Sequence, residues 1–235
     1  GGLLAAAALA AIWGDLVLLP AILLLQSRRG RLKSVTVPVS LLTDGDIADL
    51  YTVFERSYSS SSLEQFRRDL LRKQWIILLR EGLAGPVRGF STIRLIEHEG
   101  PKGTCRLLYS GDTVVDQEYW GQKTLQLAFS VFVLGLRLRT TGTLYWLLTS
   151  KGYRTYLLMT NYFPRSWPRH DSRPTEELRG LMDSIGKRLY GGTYDESAGV
   201  VRAGKDHVRE GLAEIGASQL ANPHISFFRD ANPGF

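Results

Sequence analysis

The segment from Arg165 to Arg173 has residue types that could bind an anion. Trp167 and His170 are interleaved with its arginines, of which Arg169 is the central one. Guanidinium groups pair with planar anions through parallel hydrogen bonds, and they also stack on aromatic rings. The pattern therefore fits a loop that contacts an anionic substrate, although a solvated surface loop produces the same pattern.

The cysteine and histidine residues bear on disulfide formation and on metal binding. Cys105 is the single cysteine, so no intramolecular disulfide can form, and we expect it to be a small core residue within a strand. The histidines are scattered along the chain, and the sequence therefore predicts no metal site. They are His98, His170, His207 and His224.

Length and charge limit the class of protein further. The chain has 235 residues, of which 44% are hydrophobic and 22% are charged, as is typical of a globular protein with a sizeable core. The net charge is +6, and half of this excess belongs to residues 1–34, where the basic cluster between Arg28 and Lys33 outweighs Asp15. Because the remainder is thinly spread, the sequence predicts no long basic groove and no nucleic-acid partner.

An apolar run covers residues 3–25 and is interrupted only by Gly14, Asp15 and Pro20. As one helix this run would extend about 34 Å, which is enough to cross a bilayer. Its apolar surface continues all round instead of forming a stripe, so we expect a hydrophobic N-terminal helix that makes few contacts with the rest of the chain.

The basic cluster that follows this run sets the expected orientation. By the positive-inside rule, residues 34–235 would be a cytoplasmic domain tethered to the inner or plasma membrane through residues 3–25. Residues 1–33 would then be a transmembrane-like leader and basic linker. The string from Trp13 to Ala21 resembles the last transmembrane helix of resistance–nodulation–division-type exporters. A single anchor, or a fused remnant of a neighbouring gene, is the alternative interpretation.

Strand and helix patterns alternate after residue 34. Their order is β-α-α-β-β-β-α-β-α, followed by a variable C-terminal extension. This order predicts an α+β fold with a mixed, mostly antiparallel sheet flanked by helices. The predicted strands are 35–42, 75–80, 87–97, 104–115 and 144–149, and the predicted helices are 44–54, 63–73, 125–138, 151–163, 176–189 and 206–215.

The residues around the fourth of these strands carry a resemblance. The strand segment from Leu107 to Val115 is followed by Glu118–Lys123, whose sequence is EYWGQK, and then by an apolar helix. With the order of elements, this resembles the GNAT acyltransferase superfamily over about residues 35–165. The resemblance implies a GNAT-like fold, acetyl-CoA or another acyl-CoA as cosubstrate, and transfer of the acyl group to an unidentified amine acceptor.

The resemblance also implies which residues hold the acyl-CoA. Unpaired backbone N–H groups at a helix N-terminus attract phosphate, and in this family they belong to the loop after the fourth strand. Here that loop would cradle the diphosphate, with Lys123 adding a cation, and the last residues of the strand would offer backbone groups to the pantetheine arm. The loop residues are Trp120, Gly121, Gln122, Lys123 and Thr124, and the strand residues are Thr113, Val114 and Val115.

This loop departs from the family pattern, which is Arg/Gln-x-x-Gly-x-Gly/Ala. Trp120 replaces the Arg/Gln, Lys123 replaces a glycine, and Leu125 replaces the final Gly/Ala. Side chains at glycine positions could obstruct a phosphate that must approach the backbone closely. A CoA-fold binding module without activity, a strand–turn–helix without a ligand, and a membrane-associated transporter fragment are therefore alternatives.

Catalysis in this family implies an acid and a base. A tyrosine on the helix after the fifth strand protonates the departing thiolate, and its spacing favours Tyr156 over Tyr153 and Tyr162. A carboxylate removes the amine proton, and the candidates are Glu97 and Glu99 near the end of the third strand and Glu118 at the loop. The alternative for each tyrosine is a packing residue without a catalytic role. The alternative for each glutamate is a solvated surface carboxylate.

Overall fold

The computed structural model describes residues 4–11, 32–59, 61–82, 84–100, 103–150, 152–197, 199–202, 207–208 and 215–232. The strands are β1 (Leu4–Ala11), β2 (Leu32–Pro38), β3 (Tyr58–Ser59), β4 (Trp75–Glu81), β5 (Val87–Gly100), β6 (Gly103–Val115), β7 (Leu144–Ser150), β8 (Ser166–Trp167), β9 (Tyr194–Asp195), β10 (Val200–Arg202) and β11 (His207–Val208). The α-helices are α1 (Asp44–Phe54), α2 (Leu63–Leu70), α3 (Thr124–Arg139), α4 (Tyr153–Tyr162), α5 (Glu176–Tyr190) and α6 (Pro223–Ala231).

The chain forms two compact units that alternate along the sequence. The first unit comprises Trp13–Leu95 and Tyr109–Thr141. The second unit comprises Gly1–Ile12, Ile96–Leu108 and Gly142–Phe235. This division falls within β5 and within β6, so that each of these strands contributes residues to both units. The boundary that the sequence predicts near residue 33 stays a prediction.

The first unit is built on an antiparallel sheet in the strand order β2–β4–β5–β6. Strand β2 pairs with β4 in a register that places Val35 opposite Leu78, and β4 pairs with β5 in a register that places Ile77 opposite Ser91. Hydrophobic and β-branched residues on both sides of β4 suit a strand that is covered on two faces. The antiparallel sheet agrees with the predicted fold class.

Helices α1 and α2 cover one face of this sheet. Thr43 caps α1 reciprocally: its hydroxyl accepts a hydrogen bond from the Asp46 backbone N–H at 3.1 Å, and the Asp46 carboxylate accepts from the Thr43 N–H at 2.9 Å. Such a capping box satisfies donors that a helix start leaves unpaired. The apolar side chains behind it form one core, which comprises Val39, Ile47, Leu50, Val53, Phe54, Phe66, Leu70, Ile76, Leu78, Val87, Phe90 and Val114.

Helix α3 packs against β2 and β4 on the opposite face. The rings of Trp75 and Phe132 meet edge to face with centroids 5.3 Å apart. Trp75 points away from the neighbouring core residue Ile76 because successive side chains in a strand alternate between faces. The predicted flanking of the sheet by helices is confirmed for α3, and this apolar helix is only partly buried, since Val131 and Leu138 are 56% and 79% exposed.

The second unit has the strand order β6–β7–β1–β10–β9, and β8 also pairs with β1. Helices α4 and α6 pack together through a small core of Tyr153, Tyr156, Ile225 and Phe228. Thr175 caps the start of α5 by accepting a hydrogen bond from the Leu178 backbone N–H. Residues of α5 and of the segment that precedes it line a cavity in this unit.

Residues 4–11 differ most from what the sequence predicts. They form β1, which pairs antiparallel with β7 over Ala6–Ala11, so the predicted N-terminal helix is wrong for this part. A strand that is covered on both faces is apolar throughout, and an apolar run without periodicity does not distinguish such a strand from a buried helix. The rest of the predicted helix, with the exporter-like string, lies outside the described residues. No helix in the described ranges is both long and apolar enough to span a bilayer.

The other sequence predictions agree with the structure to within a few residues at the ends of the elements. The short strands β3, β8, β9 and β10 are not predicted from the sequence, and two further differences lie near the C-terminus. Helix α6 is an element that the sequence analysis does not predict, although Asn222 caps it and Pro223 occupies its first turn. The short helix predicted over residues 206–215 is wrong at His207–Val208, which form β11. Residues 206 and 209–214 lie outside the described ranges.

Candidate functional site

The loop after β6 turns directly into α3. The backbone N–H of Asp116, the first residue after β6, donates to the Arg88 carbonyl of β5 at 2.8 Å. A single 3₁₀ turn follows over Gln117–Tyr119. Gly121 then has a φ of +88°, a left-handed conformation that side chains disfavour. The glycine therefore permits the turn that leads the chain into α3.

The N-terminus of α3 has the electrostatic character of an anion site. Its N-cap residue, Lys123, makes no side-chain capping hydrogen bond, and its first turn holds no acidic residue. The first intrahelical bond runs from the Leu127 N–H to the Lys123 carbonyl at 2.9 Å. The backbone N–H groups that precede Leu127 therefore have no intrahelical partner, and together with the Lys123 ammonium they favour a negative ligand.

Trp120 closes this loop onto the strand before it. Its indole Nε1–H donates to the Val115 carbonyl at 2.8 Å, while the ring is 44% exposed. The resemblance assigns Trp120 to the diphosphate and Val115 to the pantetheine arm. One acceptor position of the Val115 carbonyl is thus already occupied from within the chain.

Charged side chains form a cluster around Asp116, at the start of the loop. The Asp116 carboxylate is 11% exposed, and it accepts from Arg56 at 2.8 Å and lies 3.7 Å from Arg88. The Arg88 guanidinium also lies over the ring of Tyr119, 5.9 Å from the centroid, and Tyr119 is buried. These contacts hold the 3₁₀ turn in place. Sequence reasoning missed them, because Arg56 and Arg88 lie far from the loop along the chain.

The other residues assigned to acyl-CoA binding have structural partners. The Gln122 side-chain oxygen accepts from the Leu32 backbone N–H at 3.3 Å, which connects the loop to β2. Thr113 shares a 2.8 Å hydrogen bond with Ser91 across the sheet, and Val114 is buried in the core. Thr124 is the first residue of α3. For Thr113 and Val114, only backbone groups are therefore candidates for ligand contacts.

The predicted catalytic residues do not all belong to the same unit. Glu118 lies exposed in the 3₁₀ turn of the first unit, beside the loop. Glu97 belongs to the second unit, where its side chain is 70% exposed and lies 3.6 Å from Arg106. Tyr156 also belongs to the second unit, on α4. The roles of these three residues stay predictions.

Tyr156 has the environment of a packing residue. It is 1% exposed, and its hydroxyl donates to the Pro168 carbonyl at 3.0 Å. Burial raises the pKa of this phenol well above its usual range, with a smaller opposing effect from Arg169. A buried hydroxyl that already donates to a carbonyl is poorly placed to protonate a thiolate, so the spacing argument for Tyr156 receives no support from its geometry.

Side chains in the segment from Arg165 to Arg173 also make more contacts within the chain than the sequence suggests. Arg169 pairs with both oxygens of Asp171, at 2.6 and 2.7 Å, and is thus already neutralised by a carboxylate. Next to this pair, the rings of His170 and His224 lie with centroids 4.3 Å apart, so these two histidines are not scattered in space. The sequence signal was weak, because the two lie in separate elements.

Comparisons with known proteins give weak similarities. No family model matches this sequence, and no curated protein is significantly similar to it. A crystal structure from Enterococcus faecalis V583, a conserved protein of unknown function and probable N-acyltransferase, has a TM-score of 0.42 at 10% identity and covers 55% of this chain and 32% of that chain. The chain thus spans about a third of that protein.

Two further solved structures are similar to a comparable degree. The GCN5-related glucosamine N-acetyltransferase region of a fungal multi-domain beta-N-acetylglucosaminidase has a TM-score of 0.47 at 13% identity and covers 70% of this chain and 20% of that chain. Glucosamine-6-phosphate N-acetyltransferase from Arabidopsis thaliana has a TM-score of 0.39 at 12% identity and covers 62% and 97%. Two of these three structures are described as N-acetyltransferases and one as a probable N-acyltransferase, and all three TM-scores are below 0.5. A function for this chain has to be inferred from its own residues.

Proposed function

We propose that this chain is an acyl-CoA-dependent N-acyltransferase-like protein, and that the loop between β6 and α3 holds the diphosphate of the acyl-CoA. The observation that carries the proposal is the start of α3. It has no side-chain cap, no acidic residue in its first turn and a lysine at the N-cap position. A helix start of this kind offers backbone donors, a positive dipole end and a cation to the same anion.

The supporting contacts favour a preorganised site. Trp120 and the Asp116 charge cluster attach the loop to the sheet, and Gln122 attaches it to β2. A loop that is already ordered loses less conformational entropy when it binds a ligand. The exposed edge of the Trp120 ring would lie beside the diphosphate or the pantetheine arm.

The reaction that follows is acyl transfer from sulfur to nitrogen. The amine nitrogen attacks the thioester carbonyl, a C–N bond forms, the C–S bond breaks, and CoA leaves as a thiolate. A base takes the proton that the amine loses, and the thiolate takes up a proton from an acid or from water. Glu118 is the base candidate that shares a unit with the loop. The acceptor is an unidentified primary amine.

A second candidate is a CoA-fold binding module without catalytic activity. The observation that favours it is the buried Tyr156 hydroxyl, which donates to the Pro168 carbonyl instead of facing solvent. In this second candidate the loop binds acyl-CoA, and no acyl group is transferred.

Both candidate functions require the loop to bind acyl-CoA, and calorimetry with acetyl-CoA on the full chain tests this binding. We expect measurable binding, and we expect K123E to weaken it by about 5–30-fold, which corresponds to about 1–2 kcal/mol for a half-exposed charge contact. The matched control is K187E, the same charge change on α5 in the other unit. Equal affinity in the wild type and K123E would show that the loop is not the phosphate site.

A thiol-release assay with a panel of primary amines then distinguishes the two candidates. Free CoA that appears only when an amine is present supports the transferase, and E118Q should slow that release if Glu118 is the base. Binding without release for every amine in the panel supports the module.

A further inference from the structure

Three potential metal ligands meet in the second unit. They are His170, Asp171 and His224, and one ligand atom from each lies within 4.8 Å of the other two. The Nε2 atom of His224 is 3.8 Å from Oδ2 of Asp171, which is too long for a hydrogen bond. The Nδ1 atom of His224 is buried and has no hydrogen-bond partner among the described residues. The Nε2 atom of His224 and the Asp171 carboxylate therefore lie close together without a hydrogen bond between them.

The carboxylate of this cluster is held rigidly by Arg169. The guanidinium donates to both oxygens of Asp171 and, from the same side chain, to the carbonyls of Thr160 and Phe163 at 3.1 and 3.3 Å. A carboxylate offers about four acceptor positions, so two remain after this pairing. Carboxylate ligands of metals are typically held by hydrogen bonds of this kind.

His224 is held by the start of α6. Asn222 caps that helix by accepting a hydrogen bond from the His224 backbone N–H at 2.9 Å. The His224 ring meets Tyr156 edge to face, with centroids 6.4 Å apart. His170 lies in the exposed loop after Arg169, so it is the ligand that is free to adjust. Two ligands are thus fixed, and the third can move towards them.

A cavity of about 530 Å³ opens beside the cluster, with His170 and Asp171 in its wall. Its charged residues are evenly matched in sign, so a cation there would not face a uniformly positive wall. They are Arg169, Arg173 and Arg179 against Asp171, Asp183 and Glu196. The fourth coordination position of a metal bound by three side chains would be accessible from this cavity.

We propose that His170, Asp171 and His224 bind one divalent transition-metal ion, with Zn²⁺ as the best-suited ion. Two imidazoles and one carboxylate form a ligand set that Zn²⁺ uses when it keeps an open fourth position. Bonds of about 2.0–2.1 Å in a tetrahedral site place ligand atoms about 3.4 Å apart. The 3.8 Å separation between His224 and Asp171 is close to this value, and a small rotation of the exposed His170 would complete the site.

Binding of Zn²⁺ alone, followed by competition with a chromogenic chelator, tests this site on the full chain after treatment with EDTA. We expect about one Zn²⁺ per chain, and Co²⁺ in its place should give the visible absorption of a tetrahedral complex. H170N and D171N should each weaken Zn²⁺ binding by at least about tenfold. The matched control is E196Q, which removes a carboxylate from the same cavity wall outside the cluster and should keep the wild-type affinity.

His170 is exposed, so H170N should fold normally, and far-ultraviolet circular dichroism checks this for each variant. Absence of Zn²⁺ binding to the folded wild-type chain would overturn the proposal. Equal Zn²⁺ affinity in the wild type, H170N and D171N would also overturn it, because the metal would then bind elsewhere. Neither outcome depends on acetyl-CoA, so the test is independent of the proposed acyltransferase function.

Discussion

The indole N–H of Trp120 lies 2.8 Å from the carbonyl oxygen of Val115 and donates a hydrogen bond to it. This bond joins the loop before α3 to the end of β6 across five residues of chain. The Trp120 ring lies at the loop's exposed edge. We therefore expect this hydrogen bond to contribute to the stability of the first unit and to the affinity of the proposed diphosphate site.

The substitution W120F removes this hydrogen bond but keeps an aromatic ring. We expect a loss of about 0.5–1.5 kcal/mol in the free energy of unfolding, measured by urea denaturation, and a weaker affinity for acetyl-CoA. The matched control is W167F. The Trp167 Nε1–H is buried without a hydrogen-bond partner among the described residues, so its removal should be neutral or slightly stabilising. Equal losses in the two variants would contradict this account.

Replacing Lys123 with glycine distinguishes two roles for its side chain. If the ammonium contacts the diphosphate, K123G weakens acetyl-CoA binding and makes that binding less dependent on salt, because a charge contact is lost. If the side chain obstructs the phosphate, K123G restores the family's glycine and binding becomes tighter. We expect the first result, since the α3 start offers no other described cation at this position. Calorimetry at two salt concentrations provides the measurement.

Gly89 on β5 allows a close approach to the end of β6. A Cβ at this position would lie 2.6 Å from the Val114 carbonyl oxygen and 3.0 Å from the Val115 Cα. We expect G89A to cost about 1–3 kcal/mol in the free energy of unfolding, because backbone must shift to relieve the contact. It should also weaken acetyl-CoA binding, since the loop begins at that strand end.

The control for G89A is the same change in α3. A Cβ at Gly135 would have nothing within 4 Å, and the residue lies inside the helix, so G135A should raise the free energy of unfolding by about 0.5–1 kcal/mol. Opposite signs in the two variants are expected from urea denaturation. A destabilised G135A would show that α3 is more closely packed than the structure indicates.

His98 should make the stability of the chain depend on pH. Its Nδ1 atom accepts from Arg188 at 3.3 Å, since a guanidinium only donates, and its Nε2–H therefore donates to Ser184 at 3.0 Å. Burial, and then the charge of Arg188, lowers the pKa of His98 below 6.5. The unfolded chain then binds more protons just below that pH, so stability is full above about pH 6.5 and falls as the pH decreases towards the folded-state pKa.

The measurement is the melting temperature of the wild type and of H98N between about pH 5 and 8, a range that brackets the ordinary histidine pKa. The wild type should lose more stability than H98N on acidification. His224 also has a lowered pKa, so some slope should remain in H98N. An unchanged slope would mean that His98 does not contribute to it.

Local signals in the sequence predicted much of the first unit. Thr43 and Asp46 marked the start of α1, and apolar residues at helical spacing marked the face of α1 that became core. These predictions succeed because a cap and its helix are neighbours in sequence, so the interactions that favour them are already present in a short segment. The turn into α3 was recognisable for the same reason, through Gly121 and the strand before it.

The predictions that failed depended on distant partners. Residues 4–11 have an apolar sequence that suits a helix or a buried strand, and only their pairing with β7 and β10 makes them a strand. The burial of Tyr156 against α6 likewise depends on distant partners and could not be read from its spacing after β7, and its catalytic role stays a prediction. Because β-pairing and burial arise from contacts between remote segments, no local pattern could distinguish these outcomes.

The sequence by itself therefore determined the α+β order of the main elements, the starts of α1 to α5 to within a few residues, and the absence of a negative charge in the first turn of α3. Only the tertiary structure decided which charges support the loop, which tyrosines are buried, and that His170 and Asp171 meet His224. The physical reason is range: caps, turns and periodicity act over a few residues, whereas a cluster of side chains from two separate elements exists only once the chain has folded.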